Sequence, residues 1–202
     1  RLKSVGLSYV GVSLDGLQAT NDKFRGVDGA FEQALQGIRN CQANGIKVGL
    51  RYTITKANAH DLDGIFDLIE RENIPRVCFY HLVYSGRGEE IITDDLDHDT
   101  MRSIVDRIID RTADMHARGL PKEVLTVDNH ADGPYLHLRM QKENHPQADK
   151  VMQLLKMNGG NSSGHGIGCV SWDGTVYPDQ FWRHHPVGNV REKPLREIWG
   201  EA

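Results

Sequence analysis

The sequence has few cysteines and no pattern among them. Cys41, Cys78 and Cys169 are the only three in 202 residues, widely spaced and odd in number. A disulfide framework is therefore excluded, and the usage fits a reducing, cytoplasmic setting. No apolar run approaches the roughly 18–20 residues that a membrane span requires. Charge of one sign is missing too: 24 Lys and Arg stand against 28 Asp and Glu, interspersed, for a formal net charge of −4. That balance argues against a nucleic-acid partner or an anionic membrane surface. There are no internal repeats. Phosphate-cradling motifs are also absent. Gly86-Arg87-Gly88 lacks the third glycine of a dinucleotide fingerprint and the Gly-Lys-Ser of a P-loop, so it reads as a turn.

What is present is an ordinary globular composition, 39% hydrophobic and 26% charged, with enough chain to bury a core. The first residue is Arg1 and an apolar segment follows within five positions, which reads as an interior piece of a longer chain. Val5 to Leu14 predicts a buried strand closed by Asp15-Gly16. Phe31, Ala34, Leu35, Ile38 and Cys41 share one helical face, with Gly45 placed to end that helix. Strands follow at 46–54 and 76–83, separated by a helix at about 59–72. Strand, helix, strand, helix, strand at this spacing demands a parallel sheet with crossover helices. The strands carry few alternations, as expected where both faces are covered. A long helix over about 98–118 leads to a fourth strand, Glu123 to Val127, and 151–157 predicts a short helix. From Asn158 the character changes to five glycines in eleven residues, then a hairpin turned on Asp173-Gly174. A domain change is expected near residue 157, with 1–157 as one domain and 158–202 as the start of another.

Parallel α/β sheets place function at the C-terminal ends of their strands. The polar residues expected there are Ser13 to Gly16, Arg51 to Thr55, Tyr84 to Gly88, and Asp128 to Asp132. Hydroxyls, glycines and arginines on adjacent strand ends suit a ligand with carboxylate and ribose groups, although any turn is rich in Gly, Ser and Asp. Among the ten histidines, His130, His137, His165 and His184-His185 sit in polar or glycine-rich surroundings. None has helical ligand spacing or a neighbouring cysteine, so each reads as a surface or hydrogen-bonded histidine. Cys41 and Cys78 read as buried thiols. Cys169, before a hairpin and after a glycine-rich approach, suits a thiolate beside an iron–sulfur cluster, which needs about four ligands.

These residues resemble radical S-adenosylmethionine (AdoMet) enzymes of the SPASM type. Tyr9 to Gly16 with Asn21 to Gly26 is similar to the fourth barrel strand and its loop, Gly45 to Asn58 to the fifth, and Arg76 to Gly88 to the sixth. Cys169 to Trp182, Gly188-Asn189-Val190 and Leu195 to Trp199 are similar to the opening of the SPASM extension. The strings HLVYSGRG, LTVDNHADGPYLHLRM and GHGIGCVSWDGTVYPDQFWRHHPVGNVRE resemble the NirJ-type branch of heme d1 biosynthesis, with the siroheme-dependent heme synthases as nearest competitor.

The resemblance implies an α/β fold: the second half of a partial (β/α) barrel with parallel strands, plus the start of a SPASM-like extension. It implies AdoMet and a [4Fe–4S] cluster held by CxxxCxxC, a motif absent from this chain. The implied reaction is attack of a 5′-deoxyadenosyl radical on propionate side chains of a siroheme-derived iron tetrapyrrole, with electrons from a ferredoxin or flavodoxin. Ser13 and Arg25 match AdoMet-contacting positions, Val83 the adenine pocket, and Cys169 an auxiliary [4Fe–4S] ligand. The catalytic acid or base is not indicated. Tyr177-Pro178-Asp179-Gln180 departs from the Tyr-Pro-Cys-Asp of peptide-modifying members, which disfavours a sulfatase or peptide maturase. Asp179 then reads as a loop residue in preference to an unusual oxygen ligand. An iron-coproporphyrin decarboxylase and a non-catalytic α/β binding module stand as further alternatives. Without the preceding strands the edge at Val5 to Leu14 is expected to be adhesive, so residues 1–202 expressed alone should aggregate. A monodisperse, cooperatively melting preparation in size-exclusion and thermal unfolding experiments would contradict that.

Overall fold

The computed structural model describes residues 3–201. They form two compact units, one of residues up to 82 with 86–132, the other of 83–85 with the residues from 133 onward.

The first unit is a four-stranded parallel sheet. It contains β1 (Tyr9–Ser13), α1 (Gln18–Arg25), α2 (Ala30–Ala43), β2 (Lys47–Thr53), α3 (Leu62–Arg71), β3 (Arg76–Tyr80), α4 (His98–Ala117) and β4 (Glu123–Val127). The strands lie in the order β1-β2-β3-β4, so each crossover returns the chain beside the strand it left, as in a barrel wall. Register is continuous across the sheet: Ser13 opposes Arg51, Arg51 opposes Cys78, and Cys78 opposes Leu125.

Side chains alternate along a strand, so this register sorts them onto two faces. Val48, Leu50, Tyr52, Ile54, Val77 and Phe79 face the helices and are buried. They meet Phe31, Leu35 and Ile38 of α2, Leu62, Ile65, Phe66 and Ile69 of α3, and Ile108 and Met115 of α4. Phe79 is the hinge of this packing, with its ring 5.2 Å from Phe66 and 5.9 Å from Tyr52. The opposite face carries Tyr9, Gly11, Ser13, Lys47, Gly49, Arg51, Arg76, Cys78, Tyr80 and Glu123. β3 is therefore buried on one side only, and β1 is only partly covered, with no fully buried residue. This corrects the expectation of strands covered on both faces: their apolar runs include glycine, serine and cysteine, which leave the second face polar.

Two further differences have local causes. The strand expected from Val5 starts only at Tyr9, because Lys3–Val5 is a 3-10 turn closed by Gly6 at φ 84°. That left-handed conformation is open to glycine and costly for other residues. The segment expected as a loop after β1 contains α1, which ends where Gly26 (φ 66°) turns its N–H back onto the carbonyls of Asp22 and Lys23. The 84–97 loop likewise contains a 3-10 segment, Gly86–Asp94.

The second unit contains the rest of α5 (Asp132–Lys142), α6 (Ala148–Asn158), a small antiparallel sheet and α7 (Leu195–Glu201). α5 has no sequence-based counterpart, because its apolar positions are few and the residues it buries, Asp132 and His137, are polar. His137 Nδ1 lies 3.0 Å from the Ala148 carbonyl. β5 (Cys169–Val170) and β6 (Thr175–Tyr177) form the hairpin turned on Asp173-Gly174, and β7 (Gly188–Asn189) adds to β6. Among the described residues no helix is long and apolar enough to cross a membrane.

Truncating Phe66 to alanine should lower the unfolding free energy by about 3–5 kcal/mol, the usual cost of emptying a large buried aromatic site. Chemical denaturation of the complete protein measures it.

Candidate functional site

The C-terminal ends of β1–β4 converge on a rim of buried polar groups. Asp15, Asn21, Thr55 and Asn58 are all buried there, and one network pairs most of their polar groups, while Thr55 Oγ1 is buried without a hydrogen-bond partner among the described residues. Asn58 is the hub. Its amide donates to the carbonyls of Thr53 (2.8 Å) and Asp15 (3.1 Å), and its oxygen accepts the Thr55 N–H at 2.8 Å. The Tyr52 hydroxyl donates to the Asn58 carbonyl. Asn21 Oδ1 accepts the Asp15 N–H at 2.9 Å, and Asp61 Oδ2 accepts that of Leu17 at 2.9 Å. These polar contacts clamp the loop after β1 to the loop after β2, beside the apolar packing of Leu14, Leu17 and Ile54 in the core.

The AdoMet-contacting positions implied by resemblance fall here. Ser13 is the last residue of β1, exposed on the polar face of the sheet. Arg25 ends α1, and its guanidinium pairs with the Asp15 carboxylate. Burial pushes the Asp15 carboxyl up from its usual range, and Arg25 pulls it part of the way back. Arg25 is therefore tied two residues beyond Ser13 while keeping 40% of its side chain exposed. Asp22, on the preceding turn of α1, accepts the N–H groups of Gly29 (2.9 Å) and Phe31 (2.8 Å). This secures the passage from α1 into α2. Val83 belongs to the second unit and is half-buried, its carbonyl accepting the Ser85 N–H at 2.9 Å.

A second cluster occupies the rim of β3 and β4. His81 Nε2 lies 2.8 Å from Asp132 Oδ2, both side chains being nearly buried. Asp132 also accepts from the Asn129 amide at 3.0 Å. An ionised carboxylate only accepts, so beside an ionised Asp132 the Nε2 nitrogen of His81 would be the donor of this bond. Asp128 beside it has a left-handed backbone (φ 69°). Burial pushes its carboxyl up, against His81 and His130, which lower it. The polar run after β4 signals this rim in the sequence. The pairing of His81 with Asp132 and that of Asn58 with Asp15 have no such signal, because each joins residues far apart along the chain. An open depression lined by Gln42, Lys47, Glu72 and Pro75 lies at the opposite, N-terminal ends of the strands and holds none of these groups.

In the second unit Cys169 is a half-buried free thiol opposite Tyr177. A thiolate is the right donor for an iron–sulfur cluster, and Cys169 would supply one ligand. Among the described residues no group of three His, Cys, Asp or Glu side chains could hold a metal ion. The glycine before it has a packing reason: a Cβ on Gly168 would sit 2.4 Å from the Trp199 ring. Asp179 accepts the N–H groups of Phe181 and Trp182, both at 2.7 Å, and the Ser163 hydroxyl. It is a loop-fixing residue. Trp182 donates from its indole to His184 Nε2 at 2.6 Å and stacks on His185.

Comparison with known proteins agrees with these features. The SPASM family, described as an iron-sulfur cluster-binding domain, matches residues 165–202. The Fe-coproporphyrin III synthase of Methanosarcina barkeri is 62% identical, over 98% of this chain and 50% of the synthase. The pre-heme d1 synthase of Dinoroseobacter shibae is 42% identical over the same shares. These matches support the chain as part of a radical SAM/SPASM protein. The chain spans about half the length of the curated relatives it matches. Streptococcus suis SuiB bound to S-adenosylmethionine, at 16% identity, has the same fold with a TM-score of 0.64, over 95% of this chain and 42% of SuiB. The four-stranded parallel sheet is thus part of a radical SAM partial barrel, and the short antiparallel sheet is consistent with the start of the SPASM region.

Replacing Asn58 with alanine strands two carbonyls and one N–H in the buried rim. At about 1–3 kcal/mol for a buried group left unsatisfied, the complete protein should lose at least that much stability. Urea unfolding with intact cofactors reads this directly.

Proposed function

We propose that this chain is the AdoMet-facing part of a radical SAM enzyme that removes carboxylate-bearing side chains from an iron tetrapyrrole. The observation that carries the reading is the 62% identity, over almost the whole chain, to a protein named Fe-coproporphyrin III synthase. Formation of an iron coproporphyrin is accordingly the favoured reaction. The heme d1 branch, with propionate loss, is the second reading and rests on 42% identity to a pre-heme d1 synthase. Peptide maturation has only the shared fold in its favour, at 16% identity.

When bound, AdoMet and the [4Fe–4S] cluster supply a 5′-deoxyadenosyl radical. The residues of this chain bind and orient. Ser13 offers a hydroxyl to the ribose, and the exposed edge of Arg25 offers N–H groups to the AdoMet carboxylate. Val83 lines the adenine pocket, and Cys169 ligates an auxiliary [4Fe–4S] cluster. His81, oriented by Asp132, is suited to move a proton at the substrate. Residues 1–157 form the barrel portion and 158–202 begin the auxiliary-cluster domain. A ferredoxin or flavodoxin is the electron donor.

The complete protein, reconstituted anaerobically, should convert a siroheme-derived iron tetrapyrrole in the presence of AdoMet and a reductant. Mass spectrometry should find iron coproporphyrin III, with 5′-deoxyadenosine formed in step. Pre-heme d1 as the product would select the second reading. Steady 5′-deoxyadenosine formation with the tetrapyrrole unchanged would overturn both.

A further inference from the structure

Arg51 stands apart from the other cations of the sheet. It lies on the polar face, exposed, in the row Ser13–Arg51–Cys78–Leu125. One row toward the N-terminal ends, charge is already matched. Glu123 binds Arg76, with Nε donating to Oε2 at 2.7 Å, and also pairs with Lys47 at 3.5 Å, while Arg76 stacks over the Tyr9 ring. Arg25 has Asp15. Arg51 has no carboxylate: its side chain makes no ion pair or hydrogen bond among the described residues.

Its guanidinium is nonetheless held in place. A Cβ built on Gly11 would lie 2.5 Å from Arg51 Nε and 3.0 Å from Cζ, so the group rests across β1 in the space where a side chain would be. Gly49 does the same for Tyr9, whose hydroxyl would lie 2.0 Å from a Cβ there. A rotamer-rich side chain confined before its partner arrives loses less entropy when the partner binds. Toward β4 the same face becomes apolar and aromatic. Leu125 is 37% exposed, and Tyr80 lies beside Cys78 on that face. A seated, uncompensated guanidinium next to an apolar strip matches a ligand with an apolar ring and an anionic arm.

We infer that Arg51, seated in the space left by Gly11, anchors a peripheral carboxylate of the tetrapyrrole substrate; this rests on the tetrapyrrole reading above. Arg51 is a substrate-binding residue distinct from the positions implied for AdoMet. Its planar fork accepts a carboxylate through two parallel N–H donors.

The test is equilibrium binding to the complete, reconstituted protein, followed by Soret absorbance, with iron coproporphyrin III and its tetramethyl ester as probes. Arg51→Ala should weaken the free acid about tenfold or more, as expected for loss of a charge-assisted contact, and leave the ester unchanged. Gly11→Ala keeps the charge but fills the slot, and should weaken the free acid as well. Its backbone is not left-handed, so alanine is accommodated there. Melting temperatures and AdoMet affinity should match the parent protein in both variants. Unchanged free-acid affinity in Arg51→Ala overturns the inference, and so does a loss confined to AdoMet. If the parent protein binds neither probe, the tetrapyrrole reading itself fails. If it binds both probes and Arg51→Ala makes no difference, only the anchor fails.

Discussion

The polar face of the first unit depends on in-register parallel pairing of four strands whose side chains alternate from one face to the other. A shift of one residue would exchange the faces. Leu50, Tyr52, Val77 and Phe79 would then point away from the helices, and Arg51, Cys78 and Arg76 into the core. The cost of burying those cations unpaired, added to that of exposing the aromatic core, forbids such a slip. The apolar seal on one side therefore also fixes where Ser13, Arg51 and Tyr80 project on the other.

The rim is held by different means. Around Asn58 the loops add to the apolar packing of Leu14, Leu17 and Ile54 a polar network, in which side-chain amides and carboxylates satisfy backbone groups both nearby and far along the chain. Such a network is rigid when complete and fragile when one member is lost. It holds the loop after β1, and Asp15 within it, in a fixed place. That in turn sets the position of Arg25 at the end of a helix only eight residues long. His81 and Asp132 repeat the arrangement at the other side of the sheet, where a nearly buried carboxylate orients an imidazole.

Much of the fold was legible in the sequence, for a physical reason. β2, α2, α3, α4 and β4 have periodic apolar faces because they line one core, and their predicted limits lie within a few residues of those observed. α5 was not legible, since a helix with little apolar periodicity leaves no pattern to read. Nor was the shortened β1: Val5 and Leu7 look like strand residues, but Gly6 takes the chain into a turn before they can pair. The hairpin at Asp173-Gly174 was clear, because a two-residue turn is specified locally. At the candidate site Ser13 was legible as a strand-end hydroxyl. Arg25 is legible only through resemblance, and its pairing with Asp15 has no signal in the sequence. Arg51 was expected beyond the strand and lies within it, where the register gives it a slot in β1.

By itself, the sequence determined the class of fold, the alternation of strands and helices, the change of character after Asn158 and the kinship with radical SAM/SPASM proteins. These are written in local periodicity and in contiguous strings. Tertiary structure alone decided which face of each strand is open, that Gly11 exists to seat Arg51, that Gly168 exists to admit Trp199, and that His81 is held by Asp132 fifty-one positions away. Those facts arise from the lateral register of strands far apart along the chain, and no local pattern encodes that register.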